Sequence, residues 1–342
     1  MKKNFNFKKA AAAAIVAAGV AGFTATVSGE EYVKIMGTGD EVLGAYPAAS
    51  VSYIEFTEDY TPDPGIDPAD LKSVEIALSD NVKFKMIKVE GGVDYTLTST
   101  GTALTATAWA GGKATKRVED FWIGEFQVTQ GVWKEVMGIT QFPTSGAGSS
   151  QSAVGNDYPM AYVSWNDIST GTDCFLVKIN ARLKELKASD PVLAAALGDR
   201  EFRLPSEWEW EYAAAGGKDY ADLKYYYSGT TGSTAAALQT VAVNSVSPNK
   251  ATSVAEVGSK APNALGLYDM SGNVYEWCSG LGYPGYENTP GYLKNDGTWE
   301  SSNRPNRGGS WGYTDASIFR VSFRDYNTSS SRYFNLGFRL AL

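Results

Sequence analysis

Residues 266–277, GLYDMSGNVYEW, bring several oxygen ligands into one short turn. Asp269 and Glu276 can supply carboxylates, and the backbone carbonyls of Gly272 and Val274 can aim at the same centre. An all-oxygen set on a glycine-containing loop suits calcium rather than a transition metal. Two acids seven residues apart are common, however, and read alone the segment is an ordinary turn with solvated carboxylates. Glu207, Glu209 and Glu211 look like a second cluster. On a helix, neighbours two apart point to different sides, so they do not converge as a general acid and base. A capped, partly solvated helix face accounts for them better. RGGSW (307–311) has two glycines but no Lys-Ser/Thr of a phosphate loop and no helix signal after it. Its glycines suit close backbone packing beside Trp311.

Histidine is absent from the 342 residues. That removes Ser-His-Asp and Cys-His catalysis and any imidazole-ligated zinc or iron. Cys174 and Cys278 are the only cysteines, too few for a zinc cage or a disulfide framework. They either form one disulfide in an oxidising compartment or sit reduced in the core, and the second reading is the simpler. A net charge of -8 argues against a phosphate-backbone partner, so nucleic acid is not expected.

The segment 320–342, RVSFRDYNTSSSRYFNLGFRLAL, has a different character. Through 312–334 nearly every second residue is Tyr, Phe, Asn, Ser, Thr or Asp. Tyr offers a large rigid contact area with one polar atom, and Ser and Asn offer adaptable hydrogen bonds, as in antibody paratopes. A plain strand-and-loop surface has the same composition, and composition alone does not choose between them.

The elements that must carry these residues are few. VKFKMIKVEGG (82–92) alternates and then turns on two glycines, which predicts a strand, and FWIGEFQVT (121–129) predicts another. Thr129 caps a short helix, QGVWKEVMG, ended by Gly138. Ser164 and Asp167 open a helix expected to run through CFLVKINARLKELKAS. Ser206 and Glu209 make a capping box for EWEWEYAAAGG, stopped at Gly216. Few helices, many loops and no βαβ alternation give an α+β class organised by loops.

Lys2, Lys3, Lys8 and Lys9 precede an Ala/Gly-rich apolar run, with small residues at Ser28 and Gly29. Residues 1–29 therefore read as an export signal. The destination is the cell surface or the extracellular space, the periplasm being the other compartment the signal allows. The membrane enters only through export or anchoring, and no cysteine follows the run to take a lipid. Residues 30–81, with TPDPGIDPAD (61–70), read as a stalk or small β appendage. The main domain is then 82–342.

Within it, YPMAYVSWNDI (158–168), FRLPSEWEWEYAAAGG (202–217), NALGLYDMSGNVYEWC (263–278), RGGSW and NLGFRL (335–340) resemble, in order, the blocks of the formylglycine-generating enzyme family. The resemblance implies the loop-rich, formylglycine-generating type of C-type lectin fold. It also implies structural calcium at Asp269, Gly272, Val274 and Glu276. Oxidase members carry two copper-binding cysteines shortly after the GGS block. Here that region reads GYTDASIFRVSF, so neither copper nor oxidase activity is expected. The stretch from about 307 to 342 resembles instead the variable region of diversity-generating retroelement proteins, treponemal ones in particular. Those proteins randomise adenine-rich codons on a fixed scaffold. The resemblance implies a non-enzymatic binding protein whose diversified positions are Gly312, Tyr313, Asp315, Ile318, Phe319, Val321, Phe323, Asp325, Tyr326, Asn327, Tyr333 and Phe334. Ala316, Arg320, Arg324 and Arg332 would be fixed framework. The ligand would be a protein or other macromolecule of unknown identity.

Overall fold

The computed structural model describes residues 70–97, 115–139, 153–248, 250–279 and 303–342, with the backbone of short strands outside these ranges. The chain divides into two compact units, Met1–Asp70 and Leu71–Leu342. In the first, Thr24–Ser28, Tyr32–Met36 and Val42–Pro47 pair as an antiparallel sheet. Asn6–Phe7 pairs antiparallel with Ile54–Glu55, and the other residues of 1–69 lie outside the described residues.

The second unit opens with β1 (Ser73–Ser79), whose Val74, Ile76 and Leu78 point inward at every second residue. It pairs antiparallel with β2 (Val82–Val89), which pairs with β5 (Phe121–Gly124). β1 thus belongs to the domain's own sheet, and the unit begins at Leu71 rather than at the expected Val82. Between β2 and β5, strands β3 (Val93–Thr96) and β4 (Thr115–Val118) form a separate ladder.

The expected strand 121–129 stops at Gly124, whose amide bonds to the Leu340 carbonyl at 2.9 Å. The chain then bends, and Thr129 caps helix α1 (Gln130–Met137), closed by Gly138 at φ 67°. The next expected helix is two: α2 (Trp165–Ser169), with the capping box at Ser164 and Asp167, and α3 (Phe175–Ser189). Gly171, at φ +87°, sits in the break in a conformation that a continuing helix cannot use. A two-turn helix α4 (Pro191–Leu197) follows, and then α5 (Glu207–Ala215), with Ser206 and Glu209 as its capping box and Gly216 as its C-cap. Short helices α6 (Tyr220–Leu223) and α7 (Ala235–Val241) precede a long irregular stretch.

The last sheet carries the region of interest. Its strands are β6 (Tyr275–Trp277), β7 (Asn303–Arg307), β8 (Arg324–Thr328) and β9 (Leu336–Phe338), in the order β8-β7-β6-β9. Only β6 and β9 run parallel. The residues after β9 return to the start of the domain. Leu342 and Trp122 exchange backbone hydrogen bonds, as do Ala341 and Arg203. Between these layers lies an aromatic core in which Trp133 stacks on Phe175 at 5.0 Å and Phe338 meets both rings edge-on. No helix among the described residues is long and apolar enough to cross a membrane.

Candidate functional site

The stretch between RGGSW and NLGFRL is held at its base by buried ion pairs. Glu207 and Glu211 lie one turn apart on α5 and are wholly buried, not the partly solvated face expected from sequence. Arg307 on β7 reaches both: its Nε donates to Glu207 Oε1 and its Nη1 to Glu211 Oε2, each at 2.9 Å. Arg324, at the start of β8, donates from Nε to Glu207 Oε1 at 2.8 Å and from Nη2 to Oε2. Tyr95 donates its hydroxyl to Glu211. Burial pushes the Glu207 carboxyl up, but Arg324 and Arg307 outweigh it and hold the group below the usual range. Buried charges persist only when paired and hydrogen-bonded in this way. Glu209 faces elsewhere, joining its cap to Arg203 through two hydrogen bonds of 2.7 and 2.6 Å.

Arg332 is tied to Asp167 of α2 by a two-pronged pair, and Arg320 donates to the Ser317 carbonyl. The arginines interleaved through the tail therefore act as framework: Arg307 and Arg324 below, Arg320 and Arg332 at the side.

The expected variable positions separate into two groups. Ile318, Phe319, Val321 and Phe323 are buried, Phe319 completely. Phe319 and Ile318 end a 3-10 turn, Ala316–Phe319, whose side chains pack inward, and Phe323 precedes the β8 ion pair. These four are core residues as the chain stands, which corrects their assignment to the presenting surface. Gly312, Tyr313, Asp315 and Tyr326 are exposed, while Asp325, Asn327, Tyr333 and Phe334 are half-buried. Tyr313 leans edge-on against Tyr275, with ring centres 5.6 Å apart, and Phe334 leans against Trp311 at 5.3 Å. Burial first, then Asp325 and Tyr333, raise the Tyr313 phenol. Burial, Asp325, Tyr313 and Asp315 raise that of Tyr275. These groups are thus close enough to feel one another's charge. Asp325 itself is raised by burial; its Oδ1 accepts the Tyr326 amide, and no ion pair joins it among the described residues.

Two participants escape sequence reading. Tyr275, in the block GLYDMSGNVYEW, lies in β6 beneath Tyr313. Asn306, opposite Asp325 in register, is fully buried with both amide atoms unpartnered. Only the pairing of β7 with β8 brings Asn306 there.

The expected calcium ligands do converge, around something else. Gln127, on the bend after β5, places its Nε2 at 3.2 Å from Asp269 O, 3.3 Å from Gly272 O, 2.9 Å from Val274 O and 3.0 Å from Glu276 Oε1. Asp269 gives its carbonyl to this ring, not its carboxylate. The carboxylate accepts the Gly258 amide at 2.8 Å, and burial raises it to about 6. Glu276 also takes Trp210 Nε1 at 2.7 Å and both Nε and Nη2 of Arg339. As arranged, these residues do not fit a calcium ion, because an amide nitrogen holds the centre. No group of three or more His, Cys, Asp or Glu is placed to hold a metal among the described residues. Cys174 and Cys278 are buried and unpaired, as the simpler reading expected.

The α5 helix, the β8-β7-β6-β9 sheet and the long irregular connections define the formylglycine-generating type of C-type lectin fold. Residues 78–342 match the sulfatase-modifying factor enzyme 1-like domain, and the chain belongs to that family. It is similar to the chaperone protein LppX of Paenibacillus barcinonensis, 26% identical over 71% of this chain and 84% of that one. The formylglycine-generating enzyme of Streptomyces coelicolor is 31% identical over 61% of this chain, which spans 60% of that enzyme. Among solved structures, Treponema denticola variable protein 1 is 26% identical, with a TM-score of 0.54 over 79% of this chain and 98% of its own. PvdO from Pseudomonas aeruginosa, at 22% identity and a TM-score of 0.50, shares the fold.

Proposed function

We propose that this protein is a non-enzymatic ligand-binding protein, exported and displayed outside the cell, whose C-terminal stretch is diversified by a retroelement on a fixed scaffold. The observation that carries this reading is the separation of framework from surface within one segment. Arg307, Arg324 and Arg339 are buried in ion pairs, while Tyr313, Asp315 and Tyr326 are exposed between them and Asn327 and Tyr333 are half-buried. A binding surface that tolerates exchange needs this arrangement: side chains change while the backbone beneath stays fixed, and little ordering entropy is lost on docking. Tyr313, Tyr326 and Tyr333 serve as aromatic anchors, with Asp325 and Asn327 as polar contacts. The likeness to the treponemal variable protein supports the same reading.

The family's oxidase activity finds less support. The Cys278 thiol is buried and its pKa is pushed up, away from the thiolate that metal binding and redox chemistry require. Sequencing the 3′ end of the gene across a growing population tests the proposal. Substitutions concentrated at the exposed and half-buried positions, with Arg307, Arg324 and RGGSW unchanged, are expected. A uniform 3′ end, with no near-copy of it elsewhere in the genome, would remove the diversification mechanism.

A further inference from the structure

The oxygen ring of Asp269, Gly272, Val274 and Glu276 has the shape of a cation site and is built around an amide. We propose that the Gln127 carboxamide takes the place of the cation, so that the centre of this scaffold is closed by its own side chain and the protein folds without calcium.

The argument begins with the four contacts. Three are backbone carbonyls from one irregular turn and one is a carboxylate oxygen; none carries a hydrogen. A turn whose carbonyls point inward at one spot needs a positive group there. The two hydrogens of Nε2 serve the nearest acceptors, Val274 O at 2.9 Å and Glu276 Oε1 at 3.0 Å, and are shared with Asp269 O and Gly272 O at 3.2 and 3.3 Å. Turning the amide over would set Oε1 against four oxygens with no hydrogen between them, so the acceptors fix its orientation.

Distances separate an amide from an ion. Calcium asks for about six to eight oxygens at roughly 2.3–2.6 Å. The ring offers four at 2.9–3.3 Å from a point that is already an atom of Gln127. To admit calcium, the side chain must withdraw and the ring must contract by roughly 0.6–0.7 Å.

Charge points the same way. Glu276 is the ring's single carboxylate, and Arg339 neutralises it through Nε at 3.0 Å and Nη2 at 2.9 Å. That guanidinium is anchored in turn to the carbonyls of Gly124, Glu125 and Tyr268. A dication in the ring would face a fixed cation on the far side of the only anion. Asp269 enters the ring through its carbonyl, while its Oδ2 accepts the Gly258 amide and its Oδ1 is buried without a hydrogen-bond partner.

Gln127 is itself well placed. Its neighbour Val128 donates to Phe338 O at 2.9 Å and accepts from Met160 N at 2.7 Å, and Thr129 caps α1. The bend that ended β5 early thus delivers this side chain. Its Oε1 is buried and accepts nothing. That orphan defines the rival arrangement, in which the side chain draws back and turns Oε1 onto an ion.

The test is a pair of melts on the full chain, stripped with EGTA and desalted, with EGTA or with millimolar CaCl2, alongside calorimetric titration with CaCl2. Equal Tm values and no saturable heat are expected. Saturable calcium binding that raises Tm would overturn the proposal, because a ligand of the folded state alone must stabilise it. Gln127→Glu supplies the converse: a carboxylate against the ring requires a cation, so its Tm is expected to fall in EGTA and recover in CaCl2. A Gln127→Glu protein as stable as the parent in EGTA and indifferent to calcium also sinks the idea. Should that variant fail to fold in either buffer, the parent's two melts decide alone.

Discussion

Phe319 and Tyr326 are chemically alike and energetically opposite. Phe319 is completely buried under the glycines of RGGSW, where a Cβ on Gly309 would stand 3.0 Å from its ring. Phe319→Ala is expected to cost about 3–5 kcal/mol, by lost transfer energy and an unfilled cavity. Tyr326→Ala, at a side chain 43% exposed on edge strand β8, is expected to stay within about 0.5 kcal/mol. Urea unfolding of the two variants measures the difference, and ligand capture by the second measures what Tyr326 does outside the fold. Composition cannot make this distinction. Both rings lie in the same aromatic-rich stretch, and only the inward 3-10 turn at Ala316–Phe319 separates them. The calcium expectation meets the same limit. Spacing located the four ligating positions but gave no hint that Gln127, some 140 residues earlier, would enter their centre.

At the scale of elements, local signals were readable and partnerships were not. The capping boxes at Ser164–Asp167 and Ser206–Glu209 form as expected, because each needs only one turn of chain. The break between α2 and α3 was missed, since STGTD carries helix-compatible neighbours and one decisive glycine. On α5, adjacent acids were correctly judged not to converge. Glu207 and Glu211, however, share a face that only β7 and β8 could reveal as buried. Their pairing has a pH signature. The folded-state pKa of Glu207 lies below the ordinary 4.5, so its contribution is present above that value and lost as pH falls through the folded one. Glu207→Gln is expected to destabilise by about 3–5 kcal/mol at neutral pH, leaving two arginines short of a partner. The gap from the parent should persist to pH 5 and narrow only below pH 4.5, as followed by urea unfolding across that range. A gap that closes above pH 5 would show that the arginines do not hold the carboxylate charged.

For the whole molecule, the fold type was legible because five ordered blocks carry it, and those blocks supply part of the framework just described: the capping boxes of α2 and α5, the glycines of RGGSW, Arg307 and Arg339. The start of the domain was not, because β1 precedes the first block and is recognised only by its pairing with β2. The tail closes the domain through β9, the Arg339–Glu276 pair and the exchanged bonds between Leu342 and Trp122. Deleting residues 335–342 is therefore expected to abolish cooperative unfolding, as read by thermal melting, whereas deletion at an exposed turn such as 329–331 should leave a measurable transition.

That closure also has an informational consequence. The framework strand is translated after the stretch proposed to vary, so an inserted or lost base anywhere in that stretch replaces NLGFRLAL with unrelated residues. Such a chain lacks its last strand, the partner of Glu276 and the tie to Trp122, and it cannot complete the core. Under the proposed diversification, folding would serve as a reading-frame check: a frameshifted copy would be lost as unfolded protein, and the copies that fold would differ only in side chains.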